Sequence, residues 1–321
     1  MNENTIPVLV RQIRFEGKGI NSYELTDPEG RELPPFTSGA HIDVHLPGGV
    51  VRQYSLSNDP QERRRYVIGV LKDEGGRGGS ASLHRDLHVQ DVIAISPPRN
   101  NFPLADDATK VILLAGGIGV TPLKSMAHSL ARAGIDYELH YCAKDRAFTA
   151  FEDEMQAFVA QGRLHYHFDG GDPAKGLDIA GLLADPAPGT HVYYCGPAGF
   201  MKACAGAVGA WDPKTVHCEH FKAPAEEARA DALPAGAFTV EIASSGRRIA
   251  VGPDESIADV LNREGVPVET SCESGLCGTC KTRYRSGQVD HRDYILDDVE
   301  KVEYMTLCVS RCDSDLLVLD L

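Results

Sequence analysis

Ser271-Cys272-Glu273-Ser274-Gly275-Leu276-Cys277-Gly278-Thr279-Cys280, with Cys308 well downstream, sets out C-x4-C-x2-C and one distant cysteine. This spacing suits four thiolates around a plant-type [2Fe–2S] cluster. Three ligands on one tight loop and a fourth on a separate element enclose a small cluster and leave one side near the surface. Gly275 and Gly278 stand where the backbone must crowd it, and glycine accepts φ > 0 with no Cβ to clash. A zinc site usually draws on two C-x2-C pairs, whereas this run has one pair and an offset cysteine. A disulfide framework competes as well, but nine cysteines, an odd count, fit a reducing compartment better. A cluster passes single electrons and breaks no bonds, so the rest of the chain has to feed it or drain it.

Outward from that loop, three rhythms succeed one another. Residues 1–104 predict short strands at Val8–Arg14, Ile42–Leu46, Arg52–Leu56, Tyr66–Leu71 and Val92–Ser96, separated by turn residues, as in a small antiparallel β-barrel. From 105 to 222 the pattern becomes α/β. Lys110–Ala115 predicts a buried strand, Gly116-Gly117-Ile118-Gly119-Val120 a turn, Thr121 a helix cap and Pro122 the first helical position. The helix should stop at Gly134, with strands following at Tyr137–Cys142 and His191–Cys195 in a parallel sheet. Residues 223–236 read as a linker, and 237–321 as the cluster domain, with a strand at Phe238–Ile242 and a helix at Ile257–Glu264.

Charge narrows the partners. A formal net charge of −14 argues against nucleic acid and anionic membranes. From Ala237 onward there are nine Lys/Arg against sixteen Asp/Glu, and Asp290 to Glu303 holds six acids beside Arg292 and Lys301. An ordinary solvated face and a rim that steers a basic redox partner both fit that surplus. No apolar run nears the ~20 residues of a membrane span. Met1-Asn2-Glu3-Asn4 opens no secretory or transit signal, which predicts a cytoplasmic protein.

Two glycine turns can hold phosphates. Gly116 to Pro122 joins a strand to a helix, where backbone N–H groups meet an anion. Pro122 stands where the dinucleotide fingerprint would have its third glycine. Cys195-Gly196-Pro197 ends a later strand of the same sheet, where ligands of such sheets bind. In the barrel, Gly75-Gly76-Arg77-Gly78-Gly79-Ser80 precedes a helical run from Ala81 to Leu87. On Arg52-Gln53-Tyr54-Ser55-Leu56, strand alternation turns Arg52, Tyr54 and Leu56 one way and Ser55 the other. By themselves these also fit a structural turn, a hairpin tip and a half-buried strand.

Taken in order, these residues resemble the phthalate dioxygenase reductase family of the ferredoxin–NADP reductase-like superfamily, over the whole chain. Arg52-x-Tyr54-Ser55 matches its flavin motif, and Gly116 to Pro122 and Tyr194-Cys195-Gly196-Pro197 match its two nicotinamide motifs. The resemblance implies a barrel that binds FMN, an α/β domain that binds NADH and a C-terminal α+β β-grasp ferredoxin. It implies that Arg52, Arg77, Gly78, Gly79 and Ser80 hold the flavin phosphate, and that Tyr54 and Leu56 pack by the flavin. Gly69, Val70 and Leu71 would meet it by backbone, Phe221 would cover the ring, and Ser55 would stand near N5. Gly117, Thr121, Cys195, Gly196 and Pro197 would line the NADH site, with Ser55 and Cys195 at the reacting atoms. Cys272, Cys277, Cys280 and Cys308 would bind the cluster, with Cys312 a rival for the last place. Asp145 would meet a ribose diol, with Lys144 and Arg146 leaving the NADH choice open.

A nicotinamide gives a hydride and a cluster takes one electron, so a flavin between them converts pairs into singles. No acid/base pair is expected, and His84, His88, His128, His140, His165, His167 and His217 read as surface or capping residues. The implied acceptor is the Rieske centre of a separate oxygenase acting on an aromatic acid or a quaternary amine. A haem protein is the alternative acceptor, and a carrier with a dead flavin domain the alternative class.

Overall fold

The computed structural model describes residues 5–46, 50–75, 78–223 and 236–321. They fall into two compact units, Met1–Phe221 and Lys222–Leu321. Most of the expected linker, 224–235, lies outside the described residues.

The first unit opens with β1 (Ile6–Gly17), β2 (Ile20–Thr26), β3 (His41–His45), β4 (Val51–Ser55), β5 (Tyr66–Leu71) and β6 (Val92–Ile95). Their order is β4-β3-β6-β1-β2-β5 and every pairing is antiparallel. A bridge from Leu56 to Ile68 brings the two edge strands together, so the sheet curls into a barrel. Alternate residues such as Val8, Val10, Leu25, Ile42 and Val70 fill it completely buried. Strand β2 was not expected: Asn21, Ser22 and Glu24 interrupt its apolar positions. It exists because it pairs with β1 on one side and β5 on the other. Helix α1 (Gly79–Asp86) packs Leu83 into the barrel core.

The parallel sheet holds β7 (Lys110–Gly116), β8 (Asp136–Ala143), β9 (Leu164–Phe168), β10 (Thr190–Cys195) and β11 (Val216–Glu219), in the order β11-β10-β7-β8-β9. Val111, Leu113 and Ala115 face one core, and Ile112 and Leu114 the other. Helix α2 (Val120–Ala133) covers the first face with Leu123, Met126 and Leu130. The short helix α3 (Gln156–Ala160) adds Phe158 to this face, while α4 (Ile179–Leu182) and α5 (Ala198–Ala207) cover the other. Barrel residues Ile20 and Val67 join the core of the first face, which ties barrel and sheet into one unit. Helix α2 stops at Gly134 with φ +69°, as expected. Its start differs: Gly119 is the cap and Thr121 lies inside the first turn. The Thr121 hydroxyl donates back to Ile118 O, 3.0 Å away, instead of capping.

The second unit contains β12 (Phe238–Ile242), β13 (Arg247–Val251), α6 (Ile257–Arg263), β14 (Lys281–Ser286), β15 (Val289–Asp290), β16 (Tyr304–Thr306), β17 (Arg311–Cys312) and β18 (Leu316–Leu319). Its main sheet runs β13-β12-β18-β14-β16. The last strand enters the middle, parallel to β12, with Thr239 opposite Leu316. Ser256 caps α6 by accepting the Asp259 N–H at 3.0 Å, and Ile257, Val260 and Leu261 bury its inner face. An α+β grasp around one helix results.

Candidate functional site

The flavin half begins on β4. Tyr54 packs on the barrel core and Leu56 lies within it, while the Ser55 hydroxyl is turned out of it. Burial pushes the Tyr54 hydroxyl pKa up, with Arg52 opposing, so the phenol stays neutral. Arg52 runs along the start of α1: a Cβ at Gly79 would lie 2.5 Å from its Nε. A guanidinium beside a helix N-terminus, with Gly78 as cap, is a donor set that fits a phosphate. Ser80 Oγ accepts the Asp73 N–H at 3.0 Å, which leaves its own proton to donate. Arg77 lies outside the described residues. On β5, Gly69 and Val70 are buried and Leu71 is exposed. The Val70 carbonyl already accepts His84 Nε2–H, 2.9 Å away, so the backbone there is partly engaged. Phe221 closes the unit with its ring partly exposed.

The nicotinamide motifs interlock. A Cβ at Gly119 would fall on the carbonyl of Cys195, and one at Gly116 would meet Pro197 Cδ at 2.9 Å and the Phe200 ring. One at Gly196 would meet Gly116 Cα at 2.9 Å. Only bare backbone lets the two turns approach so closely at the carboxyl ends of β7 and β10. Gly117 faces open space. The Thr121 methyl lies 2.8 Å from where a Gly69 Cβ would be, so this turn abuts the flavin strand. Asp145 caps the next turn through the Ala147 N–H at 2.8 Å, and Arg146 pairs with Glu152 at 2.7 Å.

Between the halves lies a residue the sequence reading missed. Glu219 stands opposite Cys195 in the β10–β11 register, and Ser55 Oγ donates to its Oε2 across 3.2 Å. Glu219 keeps some accessible surface but is deep among protein atoms. Burial pushes its carboxyl up to about 8, and the Ser55 bond only partly opposes this. At neutral pH it therefore carries a proton beside the Ser55 hydroxyl. The signal available in sequence was its place two residues before Phe221. Burial, then Glu219, raises the Cys195 thiol well above its ordinary range. Cys195 is fully buried, and its thiol stays neutral. Four histidines pair with each other: His140 Nδ1 is 3.0 Å from His167 Nε2, and His191 Nδ1 is 3.0 Å from His217 Nε2. His140 is buried, contrary to the surface placement expected.

The cluster loop is ordered by its glycines. Gly275 has φ +70° and Gly278 φ +73°. Side chains there would strike Val309 Cγ2 at 2.8 Å and Ile295 Cδ1 at 2.9 Å, respectively. The Cys272 thiol is in hydrogen-bond contact with those of Cys277 and Cys308, and Cys280 with Cys308. Mutual contact lowers the pKa values of Cys272 and Cys280 and raises those of Cys277 and Cys308. Among the described residues no three His, Cys, Asp or Glu side chains meet at a position for one metal ion. The four sulfurs form one contiguous group, a donor set that fits two irons sharing four thiolates. Backbone N–H groups of Leu276 and Thr279 point to Cys272 Sγ (3.3 Å) and Cys277 Sγ (3.4 Å). Cys308 lies in the turn just after β16, not on a strand. Cys312 is drawn away, with its sulfur 3.1 Å from Ser314 Oγ.

Comparison with known proteins agrees with this layout. Residues 240–313 match the 2Fe-2S iron-sulfur cluster binding domain, and 113–206 the oxidoreductase NAD-binding domain. The reductase subunit of tert-butanol monooxygenase / tert-amyl alcohol desaturase from Aquincola tertiaricarbonis is 53% identical, over 97% of this chain and 95% of that protein. Vanillate O-demethylase oxidoreductase of Pseudomonas putida is 45% identical over 95% and 96%. The solved structure of phthalate dioxygenase reductase, described as modular for electron transfer from pyridine nucleotides to [2Fe-2S], is 43% identical. It aligns over 99% of this chain and 98% of that one, with a TM-score of 0.74. Fold and site define an NADH-dependent iron–sulfur flavoprotein oxidoreductase. The chain belongs to the phthalate dioxygenase reductase family. It uses NADH, FMN and a [2Fe–2S] cluster, and electrons pass in that order. Among the described residues no helix is long and apolar enough to cross a membrane.

Proposed function

We propose that this reductase serves a separate terminal oxygenase whose accepting centre is of the Rieske type, acting in ring hydroxylation or O-demethylation. What carries the reading is the end-to-end likeness to proteins named as reductase partners of oxygenases, including vanillate O-demethylase. The excess of acids on the cluster-bearing unit suits a basic docking face on that partner.

In this reading the chain divides at 1–104, 105–222, 223–236 and 237–321, and electrons pass from the second part to the first and then to the last. Arg52, Arg77, Gly78, Gly79 and Ser80 hold the FMN phosphate. Tyr54, Gly69, Leu71 and Phe221 surround its ring, with Leu56 and Val70 supporting them from the barrel core. Gly117, Thr121, Cys195, Gly196 and Pro197 seat the nicotinamide, and Cys272, Cys277, Cys280 and Cys308 hold the cluster. The bound groups supply hydride acceptance and single-electron release. Protein groups orient the rings, exclude water and keep a proton at Glu219 within reach of Ser55.

The test mixes NADH-reduced protein anaerobically with a purified Rieske-type aromatic oxygenase. The oxygenase's visible bands should bleach within the mixing time, more slowly as salt is raised. Bands that stay unbleached while cytochrome c is reduced rapidly at every salt concentration would reject the oxygenase partner in favour of a haem acceptor.

A further inference from the structure

Phe151 sits at φ +59°, a conformation that a bulky residue holds only when its neighbours enforce it. Its N–H donates to Glu16 Oε2 on β1 across 3.0 Å. The Glu16 side chain is 2% exposed and also accepts the Ser22 hydroxyl at 2.6 Å. The loop carrying Phe151 is seated on the β1–β2 turn as well. Lys18 N–H meets Ala147 O at 2.6 Å, and a Cβ at Gly17 would lie 2.8 Å from Thr149 O. A segment of the nucleotide half is thereby fastened to the barrel.

The Phe151 ring is fully buried between β5 and α2. On one side a Cβ at Gly69 would be 3.0 Å from its Cζ. On the other, Lys124 Nζ of α2 stands 4.8 Å from the ring centroid. Lys124 is itself buried, bonded to Glu154 Oε2 at 2.7 Å and to Ser57 O at 3.2 Å. Ser125 Oγ adds a 3.0 Å bond to Asn58 O. Ser57 and Asn58 follow directly on the strand that carries Ser55, so both flavin strands are braced against α2 around this ring.

We propose that Phe151 is a positioning residue: its ring is the spacer that fixes α2, and with it Thr121 and the glycine turn, against Gly69 and Ser55. That spacing sets how closely nicotinamide can stack on flavin. The inference rests on the placement of FMN and NADH proposed above. The step served breaks one C–H bond of NADH and forms one N–H bond on the flavin, with both electrons travelling with the hydrogen. Such transfer needs reacting atoms about 3–3.5 Å apart, so displacements of tenths of an ångström matter.

Three variants of the FMN-loaded full chain test this: Gly69→Ala, Phe151→Leu and the double. The readouts are the charge-transfer absorbance formed with the unreactive analogue tetrahydro-NADH, the anaerobic rate of flavin reduction, and FMN affinity. Gly69→Ala pushes a methyl against both the ring and the Thr121 methyl and should lower both band and rate by about tenfold. Adding Phe151→Leu frees the ring side of that methyl and should recover part of both. Phe151→Leu alone should alter the band while FMN affinity stays within about twofold. Lys124→Met, which leaves the ring but loosens its clamp, should give a smaller loss in the same direction. An unchanged band and rate in Gly69→Ala and Phe151→Leu would overturn the proposal, as would a double variant no better than Gly69→Ala. FMN lost from Gly69→Ala and not regained in the double would overturn it too. A wild-type protein that NADH fails to reduce would instead reject the underlying reading.

Discussion

The Ser55 hydroxyl, on the barrel, donates a 3.2 Å hydrogen bond to the Glu219 carboxyl at the edge of the parallel sheet. The bond joins the two halves of one unit where the proposed flavin and nicotinamide sites meet. It also gives the site a titrating group.

Burial lifts the Glu219 carboxyl to about 8, well above its unfolded value of roughly 4.3. Between those values the folded chain binds a proton that the unfolded chain does not, so stability falls as pH rises through that window and levels off above it. Glu219→Gln should flatten this slope in melting curves of the flavin-free protein from pH 5 to 9. The flavin reduction rate should fall above about pH 8 in wild type. In the variant it should be lower by about tenfold or more and independent of pH over that range. A wild-type slope retained by the variant would count against the assignment.

Arg52→Ala removes charged hydrogen bonds to phosphate, each worth roughly 1.5–3 kcal/mol. FMN should bind about ten- to a hundred-fold more weakly by fluorescence titration, with the visible spectrum of the cluster unaffected. Riboflavin, which lacks the phosphate, should bind both proteins alike.

Gly119→Ala places a methyl on the Cys195 carbonyl. Backbone cannot give way as a side chain does, so the two nicotinamide turns must part. The KM for NADH should rise by about tenfold or more while FMN content is retained, a loss of at least roughly 1.4 kcal/mol in nicotinamide binding. Steady-state kinetics with ferricyanide read this without the cluster.

Cys308→Ser and Cys312→Ser separate the two rival thiols. The first should lose the cluster's visible bands and cytochrome c reduction but keep ferricyanide reduction within about twofold, since flavin chemistry precedes the cluster. The second, whose thiol contacts Ser314, should keep the bands.

Much of this was legible in the chain because the informative residues are local. The C-x4-C-x2-C loop with Gly275 and Gly278, and the two glycine turns of the parallel sheet, carry their geometry in a few consecutive positions. Strand β2 was missed because Asn21, Ser22 and Glu24 blur its alternation, and only pairing with β1 and β5 makes it a strand. Glu219 was invisible for a related reason: its character comes from burial and from Ser55, far away in sequence. Thr121 reads as a cap by residue type, but the chain already turns helical at Val120, and its methyl goes to Gly69 instead.

One chain passes electrons from NADH through flavin to the cluster. Anaerobic addition of NADH to the FMN- and cluster-loaded protein, followed by rapid-scan absorbance, tests it most directly. The flavin band should bleach first, and the cluster bands should follow at a rate independent of protein concentration. Cluster bands that remain unchanged after flavin reduction, or that bleach only in proportion to protein concentration, would contradict it.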